Sequence, residues 1–350
     1  MTWVTSLSRV KIRLSEIADR SGVSISTVSR VLNEQPGVSQ HARRQVLTAI
    51  DVLGYDRPVR LRARAGGLVG LVLPELDNPY FPRLAHHLEV ALGRQGLSPV
   101  LCSQTLGGVH EDDYVAMLLE HSVAGIVFVS GVHALVDSDP ARYHRLLDLH
   151  LPFVLVNGAL DGLEAPTVST DDVAAVELAV QHLEHMGHRR IGAALGQLRY
   201  LPAQRKRRAF LDAIGERGLV PDDLPADALV ENTAYSVEGG RRAAEVLLDR
   251  GVTGIVCGSD VMALGVIRAA RQRGLRVPED LSVVGSDDSQ MMEFADPPLT
   301  TVRQPAEALA QAASQEIVEQ MAGASPHAGE VLFRPELVVR GSTARAPEPG

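Results

Sequence analysis

Beyond residue 67 the chain alternates short, continuous apolar runs, at 68–73, 125–129, 153–156, 191–194, 254–257 and 281–284, with longer amphipathic stretches. A run of four to six apolar residues without polar alternation marks a strand covered on both faces, as in a parallel sheet. The intervening segments 83–95, 112–121, 173–186, 205–216, 237–249 and 263–273 carry apolar residues at helical spacing. Repeated strand–helix units of this kind predict doubly wound α/β sheets. The stretch 68–341 exceeds one comfortable sheet, so two similar lobes are expected, with a ligand cleft at the carboxyl ends of the strands.

Ahead of this alternation the chain changes character. Residues 1–65 hold eleven Lys/Arg against five Asp/Glu, whereas the remainder of a chain totalling 34 and 43 keeps 23 against 38. A basic arm on an acidic body favours a local contact with a polyanion and repels the rest of the molecule from it. Leu14, Ile17 and Ala18 sit at helical spacing, and Gly22 can take the left-handed conformation that stops a helix. Ser24 offers an N-cap oxygen to a second helix over 25–32. One face of that helix carries Val28, Val31 and Leu32, and the other carries Ile25, Ser26, Ser29 and Arg30. A third helix, capped by Ser39, is expected through Arg43, Val46, Ile50 and Leu53 to Gly54. This is the geometry of a recognition helix in a DNA major groove. The same spacing occurs in all-α segments that touch no nucleic acid, so residue identity must decide.

The string Ala18-x-x-x-Gly22-Val23-Ser24-x-Ser26-Thr27-Val28-Ser29-Arg30-Val31-Leu32-Asn33, followed by Val38-Ser39 and Leu53-Gly54-Tyr55, resembles the headpiece of the LacI family of repressors. The resemblance implies a helix-turn-helix headpiece over 10–56 in which Ile25, Ser26 and Arg30 read base edges. It assigns Ser24, Thr27, Ser29 and Asn33 to phosphates, which set register without reading sequence. Arg30 suits guanine O6 and N7. Arg13 stands where the family usually has a Ser or Thr that caps the first helix, and Ala42 where a phosphate-binding Thr is common. A linker over 57–67 holds Arg57, Pro58, Arg60, Arg62, Arg64 and a Gly66-Gly67 pair. By the resemblance it folds on operator DNA and presents Leu61 as a minor-groove wedge. It is about three residues shorter than the common pattern.

Four further motifs carry the resemblance to about residue 341, and through it to the periplasmic sugar-binding fold. They are Pro74-Glu-Leu-Asp-Asn78-Pro79-Tyr80-Phe81, Asp260-x-Met262-Ala263-Leu264-Gly265, Ser282-Val-Val-Gly285-x-Asp287-Asp288 and Pro297-Pro298-Leu299-Thr300-Thr301-Val302-Arg303-Gln304. The implied effector site comprises Asn78, Tyr80, Phe81, Asn157, Tyr200, Arg205, Ser259, Asp287 and Gln304. Their chemistry suits a sugar, since planar polar groups exchange hydrogen bonds with ring hydroxyls and aromatic faces cover the C–H face. Ser259 replaces a usual Asn, Ser286 replaces a usual aromatic, and the position given to Arg205 could fall on Gln204 instead.

Within the family, Asp51-Val-Leu-Gly-Tyr-Asp-Arg-Pro-Val-Arg-Leu-Arg, Arg199-Tyr-Leu-Pro-x-Gln-Arg-Lys and Pro335-Glu-Leu-Val-Val-Arg-Gly-Ser-Thr are similar to actinobacterial maltose regulators. That implies a repressor released from its operator by maltose or a maltodextrin. Another sugar such as cellobiose, or a purine co-repressor, is the alternative inside the family. A solute-binding protein is the alternative outside it. A homodimer on a pseudo-palindromic operator is expected, because one headpiece reads too few base pairs for genomic specificity.

Other chemistries are set aside. No stretch approaches eighteen apolar residues, and the N-terminus lacks a secretory apolar region, so a cytoplasmic protein without membrane contact is expected. Cys102 and Cys257, in apolar stretches, read as buried free thiols. His182-x-x-His185-x-x-His188 has metal-like spacing, but His185 precedes Gly187 at a helix end, where a cation complements the dipole, so no metal is expected. Asp287 and Asp288 are adjacent on an extended segment and should point apart rather than form a catalytic pair. The phosphate-cradling, nucleophile-elbow and zinc-protease motifs are lacking, so neither enzyme activity nor a cofactor is expected. Residues 342–350 hold prolines and no heptads, and are expected to be a disordered tail without a tetramerising coiled coil.

Overall fold

The computed structural model describes residues 14–32, 38–53, 67–104, 108–160 and 162–348. They divide into two compact units, with the boundary between Gly66 and Gly67.

In the N-terminal unit, α1 (Leu14–Ser21), α2 (Ile25–Leu32) and α3 (Gln40–Leu53) enclose Ile17, Ala18, Val28, Val31, Leu32, Val46 and Ala49. Gly22 turns the chain with φ +68°, a value that a β-carbon would penalise. Ser24 Oγ accepts from Thr27 N at 3.1 Å and Ser39 Oγ accepts from Ala42 N at 3.2 Å, capping α2 and α3. All three helices begin where the spacing places them. Arg13, Asn33 and Leu61, with linker residues 57–66, lie outside the described residues.

The second unit contains two six-stranded sheets. Lobe 1 is built on β1 (Leu68–Leu73), β2 (Ser98–Ser103), β3 (Gly125–Val129), β4 (Phe153–Val156) and β5 (Pro166–Thr170), joined late by β11 (Gly329–Phe333). Lobe 2 is built on β6 (Ile191–Leu195), β7 (Val230–Asn232), β8 (Gly254–Cys257), β9 (Ser282–Asp287), β10 (Thr300–Arg303) and β12 (Glu336–Val338). The strand orders are β11-β5-β4-β3-β1-β2 and β12-β10-β9-β8-β6-β7, and every pairing is parallel except β12 on β10. The backbone passes between lobes three times: at Asp171, between Arg303 and Ala306, and between Phe333 and Glu336. Each crossing leaves the carboxyl end of a strand, so those ends of both sheets face one another across a cleft.

The six expected strands are present, but six more are not apolar runs. β5 reads Pro-Thr-Val-Ser-Thr and is wholly buried. Its hydroxyls are bonded inside, with Thr167 Oγ1 on the carbonyl of Ala165 and Ser169 Oγ accepting from Gly158 N. β10 likewise buries Thr300 and Thr301, the latter donating to Asp260 Oδ1 at 2.6 Å. β2 and β11 are sheet edges, where one side needs no apolar cover. Helices Ala141–Asp148 and Ala306–Met321 also join the expected set.

The expectation of disorder from residue 342 is corrected. Ser342 is buried, with its Oγ donating to the carbonyl of Val283 at 2.6 Å and accepting from Thr300 N at 2.8 Å. Val283 N donates to the carbonyl of Ser342, Ala344 N to Ser282 Oγ, and Ala346 N to the carbonyl of Met186. The segment lies as an irregular strap on lobe 2, because its backbone groups find partners that composition does not advertise. Two histidines of the metal-like triplet hold it. His182 Nε2 meets Thr343 Oγ1 at 2.9 Å, and buried His188 meets Thr253 Oγ1 and the carbonyl of Ala344. Both cysteines are free and buried.

Candidate functional site

On the headpiece, α2 buries Val28, Val31 and Leu32, which turns positions 25, 26, 29 and 30 outward. Ile25 is 51% exposed, and Ser26 and Arg30 are exposed beside it, so an apolar branched side chain and a guanidinium share one surface. At the amino end of α2 the hydroxyl of Ser24 lies 2.8 Å from that of Ser26 and 2.9 Å from that of Thr27. Three hydroxyls at the positive end of a helix dipole make a surface that accepts an anion. Ser29 is half-buried on the flank of the same face.

In the core unit the expected effector residues gather at the carboxyl ends of the strands. After β1, Asn78 is buried and its Oδ1 accepts from Tyr80 N at 3.1 Å, which starts the helix Tyr80–Arg94. Tyr80 is buried with Phe81 edge-on at 5.4 Å, and its hydroxyl receives Asn157 Nδ2 at 3.1 Å. Burial pushes the Tyr80 phenol up, so it stays protonated. Asn157, after β4, has φ 61° and its Oδ1 accepts from Thr170 N. From lobe 2, Asp287 ends β9 with φ 123°, and Gln304 Nε2 donates to its Oδ1 at 2.6 Å. Gln304 Oε1 in turn accepts from Thr170 Oγ1 at 2.8 Å, so one amide ties Asp287 of lobe 2 to β5 of lobe 1. Four of the six non-glycine residues of positive φ among those described, Ser130, Asn157, Asp287 and Asp288, follow or end β3, β4 and β9. Strained backbone of this kind is kept where the surroundings over-determine it.

Two expected residues have their side chains engaged by the protein itself. Arg205 makes a bidentate pair with Glu330 of β11, 2.7 Å on each arm, linking the lobes. Burial works against the Glu330 carboxylate, but the bonds from Arg205 and Ser169 outweigh it and hold its carboxyl below the usual range. Ser259 is 1% exposed and its Oγ is spent as the N-cap of the helix Asp260–Gln272. Asp288 diverges from Asp287 as expected, to Arg303 and Arg340.

The cation that reaches this cluster is Lys206, which is buried in an ion pair with Asp172 and acts electrostatically on Asp287 and Tyr235. Burial pushes the Asp172 carboxyl up, and Lys206 recovers part of the cost. Asp287 is also held well above the usual carboxylate range, by burial and then by the neighbouring Asp260. Tyr235 was not singled out by sequence. Its ring lies over Gly196, where a β-carbon would fall 1.9 Å from it, and edge-on to Tyr200 at 6.4 Å. Burial pushes its phenol up to about 12. Its scarcity as an aromatic, just after β7 and before the Ser236 cap, was the available signal.

Among the described residues seven buried side-chain atoms have no hydrogen-bond partner, four of them being Ser103 Oγ, His133 Nδ1, Thr233 Oγ1 and Asp287 Oδ2. These four sit at or just after the carboxyl ends of β2, β3, β7 and β9, two in each lobe. His133 Nε2 donates to the carbonyl of Val156, leaving Nδ1 as a bare acceptor.

A helix-turn-helix unit joined to a two-lobed, doubly wound ligand-binding core defines the class of sensor-regulated transcription factors. Residues 13–57 match the model of bacterial regulatory proteins of the lacI family, and residues 180–343 match a periplasmic binding protein-like domain. The chain belongs to the LacI family of transcriptional regulators. The regulator MalR of Streptomyces coelicolor is 52% identical over 335 residues, spanning 96% of this chain and 97% of that one. A CelR–cellobiose complex superposes with TM-score 0.71 at 29% identity, covering 95% of this chain and 100% of that one. The lac repressor dimer bound to operator and the anti-inducer ONPF gives TM-score 0.69 at 26% identity, covering 95% and 99%. Among the described residues no helix is long and apolar enough to cross a membrane.

Proposed function

We propose that this regulator is a cytoplasmic repressor that binds a pseudo-palindromic operator as a homodimer and is released by maltose or a maltodextrin. The observation that carries the effector reading is the set of hydrogen-bonding side-chain atoms of Asn78, Tyr80, Asn157, Gln304 and Asp287, drawn from strand ends of both lobes, with Phe81 edge-on to Tyr80 and Tyr235 edge-on to Tyr200. A polyhydroxylated ring supplies hydrogen-bond partners to such atoms and C–H faces to such rings. The 52% identity to MalR supports the choice among sugars. Asn78, Asn157, Asp287 and Gln304 then hold ring hydroxyls, joined by Lys206. Arg205 acts by holding the lobes together, and Ser259 by capping the helix beneath the site.

On DNA, Ile25, Ser26 and Arg30 read base edges in the major groove, Ser24, Thr27, Ser29 and Asn33 hold phosphates, and Leu61 enters the minor groove. Ligand favours one arrangement of the lobes, and its differential affinity for the two arrangements shifts operator binding by a coupling of about 1–3 kcal/mol.

Gel retardation on the upstream DNA of a sugar-uptake or amylase operon, with and without maltose, tests the whole reading. Calorimetric titration with maltose, maltotriose, cellobiose and guanine tests the effector. Retardation that is unchanged by every malto-oligosaccharide sinks the effector assignment, and heat only with guanine replaces it by a co-repressor.

A further inference from the structure

We infer that lobe 1 carries a binding site for one borderline transition cation, of the zinc type, formed by Glu316, Glu319 and His327 and remote from the effector cleft. One ligand atom from each residue lies within 4.8 Å of the others, the only such His/Asp/Glu/Cys group among the described residues. Glu316 and Glu319 are one turn apart on the helix Ala306–Met321, and His327 arrives from the loop that returns to β11.

Three features distinguish the group from an ordinary ion pair. The carboxylates occupy the last two turns of a sixteen-residue helix that has no basic residue in its last turn. Negative charge there faces the negative end of the helix dipole, an arrangement that a cation relieves. Among the described residues no lysine or arginine forms a salt bridge with either carboxylate, and the one ion pair is His327 Nδ1 to Glu316 Oε2 at 2.9 Å. Both carboxylates are also aimed by neighbours. Gln320 Nε2 and His327 N donate to Glu316 Oε1, at 3.3 and 3.4 Å, and Gln315 Nε2 donates to Glu319 Oε1 at 2.7 Å. Outer-shell amides that orient carboxylate oxygens are what a metal site requires.

The ligand set selects the cation. One imidazole and two carboxylates suit zinc, cobalt or nickel, whereas calcium and magnesium take oxygen ligands alone. Three protein ligands leave a fourth position to water. Gln320 also brackets Phe153, accepting from its N at 3.2 Å and donating to its carbonyl at 2.9 Å, so the cation would lock this helix end to the start of β4. Its effect is therefore on the rigidity of lobe 1 and not on effector contacts.

The full-length protein, stripped with a chelator, is titrated with zinc chloride by calorimetry and with cobalt chloride by absorption, alongside Glu319→Gln and His327→Gln. Expected are one zinc per chain at micromolar affinity, a rise of several degrees in Tm at saturation, and at least a tenfold loss of affinity in either variant. His327 is 72% exposed at its side chain, so its replacement leaves the fold intact, which the unliganded Tm reports. No zinc binding at micromolar concentration overturns the inference, and so does binding that both variants retain, which places the metal elsewhere.

Discussion

Arg30 leaves α2 on the side away from Val28 and Leu32 and is exposed, while every other charged residue of the headpiece helices lies on α1 or α3. On the proposed reading its guanidinium makes a bidentate contact with guanine, whose loss costs about 1–3 kcal/mol at that base pair. Arg30→Ala should flatten the affinity ladder across single-base operator variants while leaving the salt dependence close to its original slope. A ladder that keeps its shape assigns the reading to another side chain. In the core, Lys206→Met strands the Asp172 carboxylate in a buried site, and removing one partner of such a pair costs about 3–5 kcal/mol. The double variant Asp172→Asn/Lys206→Met should recover most of that stability in urea unfolding without recovering effector affinity in calorimetry. If the double variant binds effector normally, Lys206 serves the fold and not the ligand. The same treatment of Arg205 is expected to leave stability within about 1 kcal/mol, because its pair with Glu330 is only half-buried.

At the scale of elements, the strap over 342–348 is held by side chains that the sequence hides among serines and threonines. Ser342→Ala leaves Thr300 N without its acceptor in a buried place and should cost about 1–3 kcal/mol in chemical unfolding. His188 gives this contact a pH dependence. Burial lowers its pKa below the ordinary 6.5, so the folded protein favours the neutral ring and the unfolded chain takes up the proton first. The contribution is complete above about pH 6.5 and is lost as the pH falls below it. Replacement by Gln, which can still donate to Ala344 and accept from Thr253, removes the titration. The stability gap between wild type and His188→Gln should narrow on going from about pH 7.5 to 5.5. A gap that widens would mean that the ring is charged in the fold. These elements also show what was legible beforehand. Strands such as β1, β3, β4 and β8 announce themselves because burial on both faces demands apolar residues. β5 and β10 do not, because their buried hydroxyls bond to neighbouring backbone and to Gln304, Asp260 and Thr343, which no local pattern records. The headpiece was readable almost residue by residue, since caps, turn and apolar face are all local. Lys206 and Tyr235 escaped for the opposite reason: their meaning depends on Asp172, Asp287 and Gly196, which are distant in sequence.

For the whole molecule, the three crossings and the contacts beside them decide how one lobe moves on the other. Gln304 joins Thr170 to Asp287, Arg83 donates to the carbonyl of Asp288, Val136 N bonds the carbonyl of Arg199, and Arg205 grips Glu330. The first two sets run through or beside the proposed effector residues, so ligand strengthens or replaces them directly. The Arg205–Glu330 pair is different, since it spans the lobes while its donors are consumed by protein. Its free energy therefore favours the arrangement with the lobes in contact, whether or not ligand is present. In a two-state description, apparent effector affinity scales with the fraction of molecules in the binding-competent arrangement. A partly exposed bidentate pair contributes on the order of 1 kcal/mol, so Glu330→Gln should weaken effector binding by roughly two- to tenfold. Tm should hardly change, because the pair is not part of either lobe's core. Raising the salt concentration should mimic part of the effect in the wild type and little of it in the variant. Calorimetric titration of both proteins at low and high salt measures this. A loss beyond roughly a hundredfold would place Glu330 in contact with the effector itself, and no loss would mean that the lobes close without help from this pair.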